Sequence, residues 1–546
     1  MNAAELAVFA GVLEQLCSEM DVTLERSAFS PIISEATDRA CGIYSAADGG
    51  VISQGRRGLP IFVGVMQCSV QAFLAEVTDF ADGDVFLMND PFRGGTHLMD
   101  VRVIAPFYYH GELVCFLADT AHWADIGGAT PGGFGAWARS IHEEGIVIGP
   151  TRIAAGGQLD RNVLQVILGN VRLPQDREGD LLAQLNALEV GRRRLTEVLD
   201  RYGPESFRRL SDELADYAEK LTRARIRQIP NGTYEATDFL DDDGIGFDPL
   251  RIRCRLTVSD ETLHLDFSGT SAPCDGPLNS PEGASTSAVF IALKHMFPDL
   301  PISSGMFRPV QVDIPADTFL AATYPRPVSG CASEVPSRVI DVVMAALGQT
   351  DPSLAQGGAC STSANFTLHG RDGEREYIMY FFAGGGYGAC EDSDGLSNAG
   401  STISMAQVPP IELLEEWYPI QFERYELSAD SGGDGQYRGG FGAEYVIRLT
   451  ADEAKASFLG DRGKFPPQGI AGGQDGTTTS VTVLRGNGER YVPPHITKDQ
   501  DVTLAQGDKI WVRMPGGGGY GDPRLRSPEA RARDERAGFV TGKQRP

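Results

Sequence analysis

Apolar positions over residues 1–24 recur at helical spacing, with Leu6, Phe9, Leu13 and Cys17 on one stripe, which predicts an amphipathic helix docked against a core. The period then shortens. Residues 27–55, SAFSPIISEATDRACGIYSAADGGVISQG, read as two short β runs about an Ala-Ala-Asp-Gly-Gly turn, with Asp38 at the head of the first. Residues 59–77, LPIFVGVMQCSVQAFLAEV, read as a strand or turn leading into a buried helix. VRVIAPFYY (101–109) and ELVCFLADT (112–120) are rich in β-formers, and His110-Gly111 between them suits a two-residue hairpin turn.

Beyond the hairpin, GGATPGGFGAWARS (127–140) predicts a mobile glycine-rich loop, and residues 141–153, with Glu143 and Glu144, a return to strand. Residues 160–228 carry a 3.6-residue period with a helix start at Pro204. Asn170, Arg172 and Asp180 in this stretch could line a site, but the reading preferred is surface polar groups. From Asn231 the pattern alternates as in strands, interrupted by helices at 282–296 and 334–348, and residues 420–512 are again β-rich with glycine turns. The fold class that follows is α+β, with several regions: an N-terminal α/β region (1–159), a helical segment (160–228), a central α+β region (229–420), a C-terminal β-rich region (421–523) and a mobile basic tail (524–546).

The chemistry gathers at the hairpin. NDPFRGGTHLMD (89–100) and AHWAD (121–125) contain the word H-x-x-D twice, as His97/Asp100 and His122/Asp125. If Tyr109 faces Glu112 across the turn, Met99 faces His122 and Asp100 faces Ala121. His97 and His122 then share a face of the ribbon, and Asp100 joins them only where the strand bends or ends, which is expected at Asp100 itself. Imidazole nitrogens mixed with carboxylate oxygens suit zinc, manganese or iron in a site with open positions. The bland alternative is a pair of buried, hydrogen-bonded histidines with aspartates as loop caps. Asp125 either orients His122, acts as a general base, or caps the Gly127-Gly128 turn.

Composition narrows the rest. The 546 residues exceed one core and suggest three or four domain-sized units. Apolar content is 42% with no run near the roughly 18 residues of a membrane span, and Glu5 and Glu14 interrupt the first helix as no signal peptide would, so a cytoplasmic protein is expected. A net charge of −26 disfavours nucleic acid and anionic membranes, leaving small molecules and protein partners. The 9 cysteines show no ligand spacing; Cys331, just before a helix, is a candidate nucleophile set against a buried thiol. Gly516, Gly518 and Gly521 satisfy G-x-G-x-x-G, but Asp522-Pro523 follows where a helix is required, so no nucleotide site is expected.

NDPFRGGTHLMDVRVIAPF, AHWADIGG, DFSGTS, GPLNSP, EVPSRVIDVVMAALG, RYELSADSGGDGQYRGGFG and PGGGGYGDP, in this order over nearly the whole chain, resemble the hydantoinase B/5-oxoprolinase family. That family includes B subunits of ATP-dependent hydantoinases, the caprolactamase B subunit, the C-terminal half of 5-oxoprolinase and the alpha subunit of acetone carboxylase. The resemblance implies a divalent metal (zinc, manganese or iron) held by His97, Asp100, His122 and an upstream aspartate matching Asp38. It also implies a partner, an A-type subunit with an actin-like ATPase fold that binds ATP and phosphorylates the carbonyl oxygen of the substrate, in a hetero-oligomer such as A2B2. The implied activity is ATP-dependent hydrolysis of a cyclic amide: a hydantoin, 5-oxoproline or another lactam. Two other readings stand beside it, an ATP-dependent ketone carboxylase subunit and a non-catalytic scaffold. One departure is Phe62, where relatives often carry histidine.

Overall fold

The hairpin lies at the middle of a seven-stranded antiparallel sheet in the computed structural model of the chain, which describes residues 3–541. Met1, Asn2 and residues 542–546 of the expected tail lie outside the described residues. Helix α1 (Ala3–Ser27) and the single turn α2 (Pro31–Ser34) lead into β1 (Arg39–Ser45) and β2 (Val51–Gln54). Helix α3 (Ile61–Glu76), β3 (Val85–Met88), β4 (Asp100–Tyr109) and β5 (Glu112–His122) follow. After the turn α4 (Ile141–Glu144) come β6 (Thr151–Ala155) and β7 (Gln158–Leu159), giving the sheet order β2-β1-β5-β4-β3-β6-β7. Helices α5 (Arg161–Leu168), α6 (Pro174–Tyr202) and α7 (Pro204–Ile226) complete the first half.

His110 and Gly111 take φ of 51° and 82°, the left-handed pair that a tight hairpin requires, and Tyr109 pairs with Glu112 as expected. The pairing further along does not follow the expected register. Phe107 pairs with Cys115 and Tyr108 with Leu113, so Val114 is an extra residue in β5, and the bulge moves every later pair by one. Asp100 therefore faces His122, not Ala121, and Met99 lies just outside the strand. The strand does begin at Asp100, where the break was expected.

Alternation along β5 assigns its faces. Asp119 accepts a hydrogen bond from Gln184 of α6 at 2.8 Å, whereas Phe116 packs edge-on against Phe73 of α3 at 5.7 Å. Odd positions thus face α6 and even positions face α3, which puts His122 on the α3 side. Residues 141–144 form a capped helical turn instead of strand, because the Ser140 side chain accepts from the His142 amide.

Strands β8 (Gly232–Leu240), β9 (Leu250–Ser259) and β10 (Thr262–Asp266) form a second sheet with β11 (Val310–Asp313), the last pair parallel. Helix α8 (Glu282–Met296) packs on α3, and α9 (Glu334–Leu347) packs on α8 and on β8 and β9, so the first two sheets share one apolar core. Strands β12 (Asn365–Asp372) and β13 (Arg375–Phe381) are followed by helix α10 (Ile411–Trp417), β14 (Ile420–Leu427), β15 (Ala443–Leu449) and β16 (Glu453–Leu459). With β17 (Ser480–Leu484), β18 (Arg490–Tyr491), β19 (Lys498–Ala505) and β20 (Lys509–Arg513) they build sheets β13-β12-β16-β19 and β14-β15-β20-β17-β18 around a second core. Strand pairing thus crosses residue 420. In the expected tail, α11 (Pro528–Arg536) is held in place: Arg526 bonds Asp394 at 2.7 Å and Asp534 at 2.6 Å, so residues 524–541 are anchored where mobility was expected.

The glycine clusters pack backbone on backbone. Gly517 donates to the Gly440 carbonyl at 2.9 Å and accepts from Gly433 at 2.8 Å, and a Cβ on Gly517 would overlap the Tyr387 carbonyl. Residues 514–521 are therefore a buried structural layer and not a phosphate loop. Gly517→Ala is expected to destabilise the chain by at least about 3 kcal/mol, since both sides of the overlap are backbone and neither can yield. Gly11→Ala, on the exposed face of α1 with nothing within 4 Å, is expected to stabilise by up to about 1 kcal/mol. Thermal unfolding of the two variants beside the parent chain checks both signs.

Candidate metal centre

Three elements bring the polar groups together. His97 ends the loop before β4, Asp100 opens β4, and His122 closes β5. Asp38 joins them because the chain runs directly into β1, whose first residue, Arg39, pairs with Ala121; the His122 amide donates to the Asp38 carbonyl at 3.1 Å. His97 Nε2 lies 3.2 Å from Asp100 Oδ1, and His122 Nδ1 lies 3.6 Å from both Asp100 Oδ1 and Asp38 Oδ2. His97, Asp100 and His122 each offer a ligand atom within 4.8 Å of the others, the one such group among the described residues.

The loop carrying His97 is rigid for reasons its sequence states. Asn89 donates to the carbonyls of Leu98 and Ile146 and accepts from the Ile148 amide. Arg102, fully buried, donates to the carbonyls of Asp90 and Arg93 and to Ser69 Oγ. Gly94, at φ 72°, lies against the backbone of α3, where a side chain would collide with Cys68. Most of the NDPFRGG motif is thus scaffold.

The ring states are set locally. His97 Nδ1 sits 3.2 Å from the Ser329 carbonyl, which can only accept, so Nδ1 carries the proton and Nε2 presents a lone pair. Ser329 is itself clamped, because the Glu144 carboxylate accepts the amides of Val328 at 2.9 Å and Ser329 at 2.8 Å. Thr96 Oγ1 donates to Asp100 Oδ2, leaving Oδ1 for the histidines. His122 stacks on Tyr380, ring centroids 5.0 Å apart, and Phe134 stacks on Tyr380 at 5.0 Å. The Tyr380 hydroxyl is tied to Asn365 Oδ1 at 2.7 Å.

Burial, and then the facing carboxylate of Asp100, push the Asp38 carboxyl up to about 8. Burial acts on Asp100 in the same direction, but the two imidazoles beside it hold it well below the usual carboxylate range. Two carboxylates about one imidazole, with the Nε2 atoms of His97 and His122 buried and without hydrogen-bond partners, are a donor set that a divalent cation satisfies. Two imidazoles and two carboxylates fit zinc, manganese or iron.

The group opens into a small cavity whose walls include Leu59, Ile61 and Phe62 at the start of α3, together with Phe134, Tyr380 and Ile403. Phe62 is thus brought to the site. Asp125 is not: its carboxylate accepts from the amides of Gly127, Gly132 and Arg172 and from the Arg172 guanidinium at 3.1 Å, so it caps the glycine loop, and these contacts do not include His122. That loop is pinned and largely buried, and it reaches the site through Phe134. Cys331 is fully buried, with its thiol pushed up to about 12 by burial, which is inert chemistry. Asp180 anchors the amides of Phe29 and Ser30, both at 2.9 Å. Sequence reasoning gave no site role to Tyr380, Glu144 or Ser329; only pairings across 184 or more residues would have pointed to them.

Comparison with known proteins bears on the family and the fold. The profile described as Hydantoinase B/oxoprolinase matches residues 2–523. The beta subunit of caprolactamase from Pseudomonas jessenii is 32% identical over 98% of this chain and 94% of its own. The crystal structure of ATP-dependent caprolactamase from the same organism superposes with a TM-score of 0.90 at 30% identity, covering 99% of this chain and 95% of that one. Acetone carboxylase in its nucleotide-free structure shares the fold, with a TM-score of 0.91 at 21% identity, over 99% of this chain and 78% of that one. Among the described residues no helix is long and apolar enough to cross a membrane.

Proposed function

The chain belongs to the hydantoinase B/oxoprolinase family, and from that premise we propose that it is the ring-opening component of an ATP-dependent cyclic amidase. It works beside an A-type ATPase subunit that activates the substrate carbonyl. The observation that carries this reading is the convergence of His97, Asp100, His122 and Asp38 on one cavity, in a chain whose glycine motif is built into the interior and leaves no cradle for phosphate.

His97, Asp100, His122 and Asp38 would hold a divalent metal. When bound there, it would supply Lewis-acid chemistry, activating water near neutral pH and polarising a carbonyl oxygen. The protein's own part is orientation and exclusion. The Ser329 carbonyl, clamped by Glu144, fixes the His97 tautomer; Thr96 turns one oxygen of Asp100 away; the Tyr380 and Phe134 rings fix the plane of His122. Asp38, with 16% of its side chain exposed, is the most accessible member of the group, and the aromatic walls limit bulk water at the reacting carbonyl.

Division of labour with the partner gives a direct test. The isolated chain is expected neither to bind nor to hydrolyse ATP, and ring opening is expected only when the ATPase subunit is added. Calorimetric titration of ATP into this chain alone checks it, and tight binding there would contradict the reading.

A further inference from the structure

The cavity walls specify what the ring can carry. Leu59, Ile61, Phe62, Phe134, Phe382 and Ile403 supply apolar surface, and among the described residues no lysine or arginine lines the cavity. The nearest cation in sequence, Arg39 beside Asp38, is turned away: its Nε donates to the Asp21 carbonyl at 3.2 Å, its Nη1 to the Ile33 carbonyl at 2.8 Å, and its Nη2 pairs with Glu25. The side-chain polar groups that line the cavity outside the ligand group are hydroxyls, those of Ser333, Ser363, Ser404 and Tyr380, the last already donating to Asn365. Ser333 Oγ already accepts from Asn365 at 2.7 Å, and Ser363 Oγ lies 3.3 Å from Ser401 Oγ. These groups suit a neutral amide edge and offer an anion no charge.

Asp38 and Asp100 sharpen the argument. Two carboxylates already balance a divalent ion, so a third would enter a neutral, poorly hydrated cavity with no counter-charge, and an unpaired buried carboxylate is strongly disfavoured. Resting on the cyclic-amidase reading above, we propose that this chain opens lactams with an apolar ring and no carboxylate, and that Phe62, on the first turn of α3, is the wall residue that excludes carboxylated rings.

A matched pair isolates the variable. 2-Pyrrolidinone and L-5-oxoproline share a five-membered lactam and differ by one carboxylate. With the chain in complex with its ATPase subunit, ATP-dependent ring opening is expected to favour 2-pyrrolidinone by at least 100-fold in kcat/KM. Saturation-transfer NMR on the metal-loaded complex without ATP is expected to show binding of the neutral lactam and none of the acid. Phe62→His, which places a polar ring in the same wall, is expected to narrow the preference at least tenfold. Equal or preferred turnover of 5-oxoproline overturns this proposal and leaves the amidase reading intact. If neither lactam is opened, the amidase reading fails, and the NMR arm still decides the cavity's preference: selective binding of 2-pyrrolidinone supports it and selective binding of 5-oxoproline refutes it.

Discussion

Replacing either histidine of the hairpin, as His97→Ala or His122→Ala, is expected to strip the chain of its divalent metal. The parent chain should purify with close to one such ion, measured by inductively coupled plasma mass spectrometry. Groups that only orient a ligand typically contribute 10–100-fold in metal affinity, and direct ligands contribute more, so each substitution should cost well over 100-fold. A graded series sharpens the expectation. Glu144→Gln touches His97 only through the Ser329 backbone, and its loss should fall in the 10–100-fold range. Circular dichroism separates loss of metal from loss of fold, since the ligand group sits at the ends of two central strands, beside a cavity. Parent chain that is free of metal yet fully active with its partner would end the metal reading.

How far this site was legible in the sequence differs from residue to residue. The β-formers between the two H-x-x-D words and the His110-Gly111 turn are local signals, and each is realised. The register was missed by one residue because the bulge at Val114 falls within an unbroken apolar run of β5, and its one mark, Pro106 beside the shifted pairs in β4, does not say which residue is extra. That one residue decides the chemistry, since it swings Asp100 onto the face of His122. The second word failed in its aspartate. Asp100 and Asp125 stand at the same offset from their histidines, yet one follows a tight loop into a strand and the other leaves a strand for a glycine loop that needs a cap.

The rest of the site could not be read locally at all. Tyr380 stacks on His122 from β13, in a sheet belonging to the other core, and Ser329 reaches His97 from the turn before α9. Such contacts depend on how the two cores dock, which periodicity along the chain does not encode. The glycine clusters show the opposite limit. Their composition announced close backbone approach, and the structure adds that the neighbour of one cluster is another, Gly517 lying between Gly433 and Gly440.

Asp38→Asn is expected to abolish ring opening while the partner's ATP hydrolysis continues. The substitution keeps the shape of the side chain and removes its charge, so it tests whether a second carboxylate beside Asp100 is needed; an amide there is a weaker ligand and leaves the balance of charge about His122 altered. Uncoupling is the informative outcome, since a scaffold that only stabilised its ATPase would lose both activities or neither. The same assay decides the reaction class. Hydrolysis needs only an activated water beside the bound ring, whereas carboxylation also needs carbon dioxide to be generated, held and kept from water. Ring opening by the parent complex should therefore proceed without bicarbonate. Strict dependence on bicarbonate, with its carbon-13 label retained in the product, would reassign the chain to the carboxylating branch whose fold it shares.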